Sequence, residues 1–379
     1  MKVCVVCDVL GRENNGTTIA AMNLIRSLKS KGHTVNVVCP DDDRRGQEGF
    51  YVVPRLHLGP IDRYVAKNGV VLAKADKRII GEAMEGADAV HVMMAFALGK
   101  AAAKMAKQRG IALTAGFHCQ AENFTGHIFM RDVPLANRIT YKVFYKRLYK
   151  RCDMIHYPTQ FMRDTFEKVV GKTSGTVISN GVNRRFTPGE GESRQPGHYT
   201  VLYTGRYGPE KSHDLLLKGI ALSRHVKDID LILAGAGPKE QEIKKLVKKL
   251  GIPMPTMRFF GREEMPDVIR SADLYVHPAE IELESIACLE AIACGVVPLI
   301  SNSPRSAAGG FALSEKNLFQ YDDPSDLAQK LDWWLEHPEE KRACSRQYAG
   351  YAERFDFDRC MDEMEKMILS AVEANRHGS

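Results

Sequence analysis

No apolar run in this chain of 379 residues approaches the ~20 needed to cross a bilayer, so any membrane contact is expected to be peripheral. The N-terminus enters directly as a strand, with no charged n-region or cleavage site, and no signal peptide is expected. A paired-cysteine metal site is also missing. The nine cysteines are scattered through apolar segments, and no second pair joins Cys4 and Cys7 to complete a tetrahedron. Both lie in the run Val3 to Val9, where a strand sends residues three apart to opposite faces. Buried thiols in a reducing cytosol are therefore expected. Nor is one charge sign in large excess: 53 basic and 47 acidic residues leave a net charge of +6. That permits an anionic ligand or membrane surface without demanding nucleic acid, and no nucleic-acid partner is expected. With 44% hydrophobic and 26% charged residues, disorder, collagen and coiled coil are set aside.

What is present reads as two α/β halves. Val3 to Val9 is an apolar run interrupted by Asp8, as a strand covered on both faces would be. A polar loop, Gly11 to Gly16, precedes a helical pattern from Thr17 to about Ser30, with Thr17 as the N-cap. Val35 to Cys39, Ala89 to Met94, Ala112 to Phe117 and Met154 to Tyr157 read as further strands. The stretch Pro188 to Gly197 has no apolar side chain and suits a linker. The rhythm then restarts: strands at Thr200–Thr204, Asp230–Ala234, Arg258–Gly261, Leu274–His277 and Val297–Ser301, with helices at Lys211–Val226 and Glu240–Leu250. The expected architecture is two Rossmann-like, doubly wound α/β domains facing across a cleft, residues 1–190 and 191–355. A helix in 356–379 is expected to pack back on the first.

Two constellations in the second half carry chemistry. Glu282 precedes a helix-like stretch, Glu284 to Cys294, and Glu290 falls about two turns inside it. Amides at a helix N-terminus and a nearby carboxylate can bind hydroxyls or an anion; equally, acids favour a first helical turn through the dipole alone. In the second, Arg206 and Lys211 follow the strand Thr200–Thr204 across a glycine loop. A guanidinium and an ammonium suit phosphate, although isolated loop cations are more often only solvated. Gly235-Ala-Gly237 lacks the third glycine of a dinucleotide fingerprint, which disfavours an NAD-dependent oxidoreductase. Asp41-Asp42-Asp43 is read as a solvated turn rather than a metal motif.

The run Glu282 to Pro298, two glutamates separated by seven residues and followed by E-A-I-A-C-G-V-V-P, resembles the signature of family-4 retaining glycosyltransferases of the GT-B fold. The resemblance implies that Glu282 and the amides of Leu283, Glu284 and Ser285 hold the donor sugar and that Glu290 holds the ribose. Arg206 and Lys211 match that family's G-R-x-x-x-x-K and would stabilise the leaving diphosphate. Arg262 falls where the family places the nucleotide base. In the first half the family has two glycines where this chain has Asn15-Gly16, so Gly16 and Thr17 are carried over as donor and acceptor contacts. His118 begins H-x-Q-x-E-N and resembles the histidine of bacterial diacylglycerol glucosyltransferases that contacts the donor sugar. Considered apart from that resemblance, a lone histidine is more often structural.

Arg138 to Arg151 is dense in basic residues and contains no acid. At helical spacing Tyr141, Phe144, Tyr145, Leu148 and Tyr149 gather on one side, with Arg138, Lys142, Lys146, Arg147, Lys150 and Arg151 around the rest. Such a helix can lie on an anionic bilayer, or its aromatic stripe can face the core with a solvated basic back. The resemblance favours the bilayer. The resulting expectation is a retaining hexosyltransferase, cytoplasmic and peripheral at the inner face of the cell membrane, moving glucose from UDP-glucose to a lipid such as diacylglycerol without a metal. The alternatives are a soluble or polysaccharide acceptor, a GDP-mannose donor, or a non-catalytic nucleotide-sugar binding protein at the membrane.

Overall fold

The computed structural model describes residues 1–10, 16–57, 59, 71–189, 191 and 197–377. The polar loop expected at Gly11 to Gly16, including Asn15, lies outside the described residues apart from Gly16; so do residues 190 and 192–196 of the expected linker. The chain divides into two compact units, Met1–Asn180 with Asp358–Ser379, and Gly181–Phe357.

The first unit is built on a parallel sheet in the order β3-β2-β1-β4-β5-β6-β7. Its strands are β1 Lys2–Val6, β2 Thr34–Cys39, β3 Phe50–Val52, β4 Ala89–Val92, β5 Ala112–Gly116, β6 Met154–Tyr157 and β7 Gly175–Val177. The central strands β1, β4 and β5 are buried apart from half-buried Lys2, which explains their mostly apolar sequence. Between them run α1 Gly16–Ser30, α2 Lys77–Ala83, α3 Ala97–Gln108, α4 Ala121–Gly126, α5 Pro134–Arg147 and α6 Gln160–Val170. The first helix starts at Gly16, so Thr17 lies inside it rather than capping it. Asp8, the charge in the first apolar run, lies beyond β1 and accepts the amides of Leu98 and Gly99 at 2.9 Å each, capping α3. Burial pushes its carboxyl up to about 7 against those two amides.

The second unit repeats the plan, with sheet order β10-β9-β8-β11-β12-β13. Its strands are β8 Tyr199–Thr204, β9 Ile229–Ala234, β10 Thr256–Arg258, β11 Leu274–His277, β12 Val297–Ser301 and β13 Leu318–Phe319. The helices are α7 His213–Leu222, α8 Glu240–Leu250, α9 Met265–Arg270, α10 Ile286–Ala293, α11 Pro324–Glu336 and α12 Pro338–Ala352. The expected helix from Lys211 begins two residues later. Ser212 takes the left-handed conformation at φ 49°, which breaks the helical path and leaves Lys211 at the end of a short 3-10 turn, Pro209–Lys211. The strand expected at Arg258–Gly261 ends at Arg258, leaving Arg262 on an exposed loop.

The last helix, α13 Phe357–His377, belongs to the first unit from Asp358 onward. Glu365 receives Lys31 at 2.8 Å and His33 at 2.6 Å, and Asn375 donates to the Gly110 carbonyl at 2.6 Å. No helix among the described residues is long and apolar enough to cross a membrane. All nine cysteines are free thiols; burial pushes Cys4 up to about 12 and Cys7 well above its ordinary value.

Candidate functional site

In a sheet of this topology the strand order reverses at one point, and loops leaving the carboxyl ends of the two flanking strands diverge to open a ligand crevice. In the second unit those strands are β8 and β11. The loop after β8 carries Arg206 and Lys211, and the loop after β11 carries Glu282. Residues 71 apart in sequence thus come together: the Lys211 ammonium pairs with Glu282 Oε1, and both side chains are largely shielded from water. Burial alone would raise the Glu282 carboxyl, but the Lys211 charge and the His277 imidazole overcome it and hold Glu282 at about 2. Glu282 is therefore a carboxylate at any physiological pH. Beside it, Arg206 donates to Glu210 Oε1 at 2.6 Å, and Glu210 stays below its ordinary range although burial opposes this. Both cations are matched to carboxylates, a paired arrangement that an incoming dianion can replace.

Main-chain packing fixes the Arg206 loop. Tyr207 donates its amide to the Ala236 carbonyl at 3.0 Å and its hydroxyl to Leu233 O at 2.6 Å. A Cβ at Gly235 would meet the Gly205 carbonyl oxygen at 1.9 Å, and one at Gly237 would meet Tyr207 backbone at 2.6 Å. The two glycines therefore let one loop lie against another. Their sequence pattern resembled a dinucleotide fingerprint only in outline.

The loop after β11 is equally constrained. Glu282 forms a parallel bridge with Ser306, and its carbonyl accepts the Ala307 amide at 2.9 Å. Glu284 is buried, Leu283 half-buried, and Ser285 holds φ 74° while its hydroxyl accepts from the Cys288 amide at 3.3 Å. Ser285 is thus the N-cap of α10, so the helix starts later than the sequence pattern suggests and Glu290 lies just over one turn inside it. Burial raises the Glu290 carboxyl to about 7, with Arg262 and Arg185 pulling the other way. Exposed Arg262 is thereby placed in the electrostatic neighbourhood of Glu290.

Sequence reasoning missed several residues here. His277, read only as a strand residue, is 1% exposed, and its Nε2 stands 3.5 Å from Glu282 Oε1. Glu280 is buried, pairs with Arg305, and donates its amide to the Glu210 carbonyl at 2.9 Å. No periodicity or spacing marks these residues: Glu280 makes its contacts with two other loops, and His277 meets Glu282 only through the turn of the loop that follows β11.

In the first unit His118 follows β5 and is buried, with its ring edge-on to His156 at 5.5 Å. Burial, with His156 and His91 adding, holds it well below the usual histidine range, so it is a neutral imidazole. Gly116 makes room for it: a Cβ there would meet His118 Nε2 at 2.4 Å. Gly16 is exposed and Thr17 half-buried at the start of α1.

The basic helix requires a correction. Tyr141 and Phe144 on α5 are buried, as is Tyr149 beyond it, so these aromatics do not face a bilayer. Phe117 stacks on Tyr149 at 5.1 Å, and Phe166 receives Tyr141 and Tyr145 edge-on at 5.9 and 6.2 Å. The aromatic stripe is core because Phe117, just after β5, and Phe166 on α6 fill the space beneath it. Arg138, Lys142, Lys146, Arg147, Lys150 and Arg151 are exposed, as the helical pattern requires. Exposed apolar surface lies before and beside the first of them in sequence: Ile128 at 55%, Phe129 at 94%, Leu135 at 65% and Ile139 at 52%.

Comparison with known proteins agrees with this geometry. Residues 14–186 match the model described as Glycosyltransferase Family 4, and residues 190–350 match that described as Glycosyl transferases group 1. The chain belongs to the family-4 glycosyltransferases. It is 26% identical, over 93% of its length and 85% of the relative's, to a GDP-mannose-dependent alpha-mannosyltransferase of Corynebacterium glutamicum. It is 23% identical to the alpha-monoglucosyldiacylglycerol synthase of Acholeplasma laidlawii, over 86% of each chain. The solved structure of sucrose-phosphate synthase from Thermosynechococcus elongatus superposes with a TM-score of 0.77 at 15% identity, covering 98% of this chain and 99% of that one. That likeness shows the GT-B fold of this glycosyltransferase.

Proposed function

We propose that this glycosyltransferase moves glucose from UDP-glucose to a membrane lipid such as diacylglycerol, retaining the configuration at the anomeric carbon. The observation that carries the donor half is the Lys211–Glu282 pair at the strand-order reversal, with Arg206 beside it. On binding, the diphosphate takes Lys211 and Arg206 from their carboxylates, which frees Glu282 to accept sugar hydroxyls. As the anomeric bond breaks, negative charge grows on the diphosphate, and the two cations stabilise it most at that moment. Their two positive charges meet this requirement without a metal. The acceptor hydroxyl attacks from the face the diphosphate leaves, and a departing phosphate oxygen takes its proton. Glu290 holds the ribose and Arg262 the base; in the first unit His118 is a neutral, buried imidazole.

Two observations support a lipid acceptor. One is the diacylglycerol-lipid relative. The other is the outward face of α5, where Leu135 and Ile139 are followed by Lys142 and Lys146 at helical spacing, next to exposed Ile128 and Phe129. Apolar side chains can enter the lipid boundary while the cations meet anionic headgroups, each worth about 1 kcal/mol. In this reading membrane contact is made by Ile128, Phe129, Leu135 and Ile139 with the cations Arg138, Lys142, Lys146, Arg147, Lys150 and Arg151, at a cytoplasmic bilayer face. The mannosyltransferase relative supports a second reading, a GDP-mannose donor.

The test supplies nucleotide sugars singly with anionic vesicles containing diacylglycerol and identifies products by mass spectrometry. Glucosyl-diacylglycerol from UDP-glucose is expected, with loss of at least about a hundredfold in Lys211→Ala and Glu282→Gln. A mannolipid from GDP-mannose establishes the second reading, and normal turnover in both variants sinks the site assignment.

A further inference from the structure

We propose that His277 is the positioning residue for Glu282: a directed hydroxyl chain fixes its Nε2 as the proton-bearing nitrogen, and that N–H holds the carboxylate toward the donor sugar once Lys211 moves to the diphosphate. The proposal rests on the donor-binding reading above and concerns a residue which that reading does not use.

His277 ends β11, and Tyr275, two residues earlier, lies on the same face of the strand. Thr204, at the end of neighbouring β8, donates its hydroxyl to Tyr275 OH at 3.3 Å. Tyr275 OH, its oxygen already accepting, directs its own proton to His277 Nδ1 at 3.2 Å. Ser285 Oγ lies 3.4 Å from the same nitrogen. That oxygen accepts the Cys288 amide, so its proton too is available to the imidazole. Two hydroxyls thus converge on Nδ1, which makes it an acceptor.

The opposite nitrogen faces the carboxylate. Nε2 is 3.5 Å from Glu282 Oε1, at the outer edge of hydrogen-bonding range, and while Lys211 occupies that oxygen Nε2 completes no hydrogen bond among the described residues. A bare nitrogen lone pair held against a buried carboxylate oxygen is repulsive; an N–H there is attractive. Thr204, Tyr275 and His277 are all buried, so water does not offer a competing arrangement. Burial also keeps the tyrosine hydroxyl protonated and the imidazole neutral. Every proton in the chain Thr204, Tyr275, His277 points onward, and the chain terminates on Glu282.

The arrangement addresses a specific problem. Lys211 and His277 face one carboxylate oxygen, Oε1, which Lys211 holds by a hydrogen bond and His277 approaches at 3.5 Å. When diphosphate draws Lys211 away, Glu282 would lose its orientation unless a second donor stayed behind. His277 stays, because it belongs to a strand and not to the mobile charge pair. Oε1 remains bound to the protein and Oε2 is left for the sugar.

The test compares wild type with His277→Gln and His277→Asn. The longer amide brings an N–H to the Nε2 position; the shorter one reaches only the Nδ1 position and cannot donate to Glu282. Affinity for UDP, read by calorimetry, is expected to stay within about threefold in both. Turnover of UDP-glucose should fall about 10–100-fold in the asparagine variant and less than about fivefold in the glutamine variant. Equal loss in the two, or none in either, overturns the proposal. A second measurement needs no turnover: long-range ¹⁵N–¹H spectra of histidine-labelled wild type should show His277 in the Nε2-protonated tautomer, and Glu282→Gln should shift its Nε2 signal. An Nδ1-protonated tautomer overturns the proposal even if no nucleotide sugar is turned over. Failure of the donor assignment is thereby kept distinct from failure of the His277 assignment.

Discussion

Unlike Glu282 and Glu210, which stay below the ordinary carboxyl range, Glu290 is raised above it, and the substitution Glu290→Gln isolates the effect. Its carboxyl moves from an ordinary 4.5 to about 7 because burial penalises the anion more than Arg262 and Arg185 relieve it. Between those values the folded state holds a proton that the unfolded chain has released. Stability from this group is complete below about pH 4.5 and is lost as pH rises through about 7. The span is roughly 2.5 pH decades at about 1.36 kcal/mol each, so about 3 kcal/mol is forfeited by pH 8. Glutamine reproduces the neutral form at every pH. Thermal unfolding of the ligand-free protein should therefore show the variant melting higher than wild type at pH 8. At about 2–4 °C per kcal/mol for a unit of this size, the gap is about 6–12 °C. It should close on acidification toward pH 4.5. A gap that does not change with pH, or a wild type that is the more stable protein at pH 8, refutes the reasoning.

Gly235→Ala places a Cβ 1.9 Å from the Gly205 carbonyl oxygen, so the Arg206 loop must shift. UDP affinity should fall at least about tenfold by calorimetry while the far-UV spectrum stays that of the wild type. Phe129→Asp and Tyr141→Ala separate surface from core on the two sides of one segment. The first should lower binding to anionic vesicles about tenfold or more with the melting temperature unchanged; the second should cost about 3–5 kcal/mol in denaturant unfolding. Gly116→Ala drives a Cβ to 2.4 Å from His118 Nε2. Turnover should drop about tenfold or more, with UDP affinity unchanged because the proposed nucleotide contacts, Arg206, Lys211 and Glu290, belong to the second unit.

The sequence was most readable where one side chain type repeats along a strand. Met154–Tyr157, Leu274–His277 and Val297–Ser301 have the expected bounds, since a continuous apolar run between polar loops admits little else. The edge strands Phe50–Val52, Gly175–Val177 and Leu318–Phe319 escaped notice because two or three residues establish no period. The start of α7 was misplaced for a different reason. Nothing in Lys211-Ser212-His213 announces that Ser212 adopts φ 49°, a conformation imposed by what the loop must reach.

The site shows the same division more sharply. Arg206, Lys211, Glu282 and Glu290 were legible because the family writes them at fixed spacing, so a linear pattern stands in for three-dimensional proximity. His277 was not, although it lies five residues from Glu282 and within 3.5 Å of its carboxylate. Its significance depends on Tyr275, two residues earlier on the same strand, and on Thr204, which reaches Tyr275 from neighbouring β8, and no one-dimensional pattern records a contact between strands. The aromatic stripe on α5 illustrates the converse. Its periodicity was read correctly, yet a helical period gives the angular grouping of side chains and not which side the protein covers. Phe117 and Phe166 decide that question, and they come from other elements. Once those rings claim the stripe for the core, the membrane reading must rest on Ile128, Phe129, Leu135 and Ile139, side chains that no helical wheel of Arg138 to Arg151 would have singled out together.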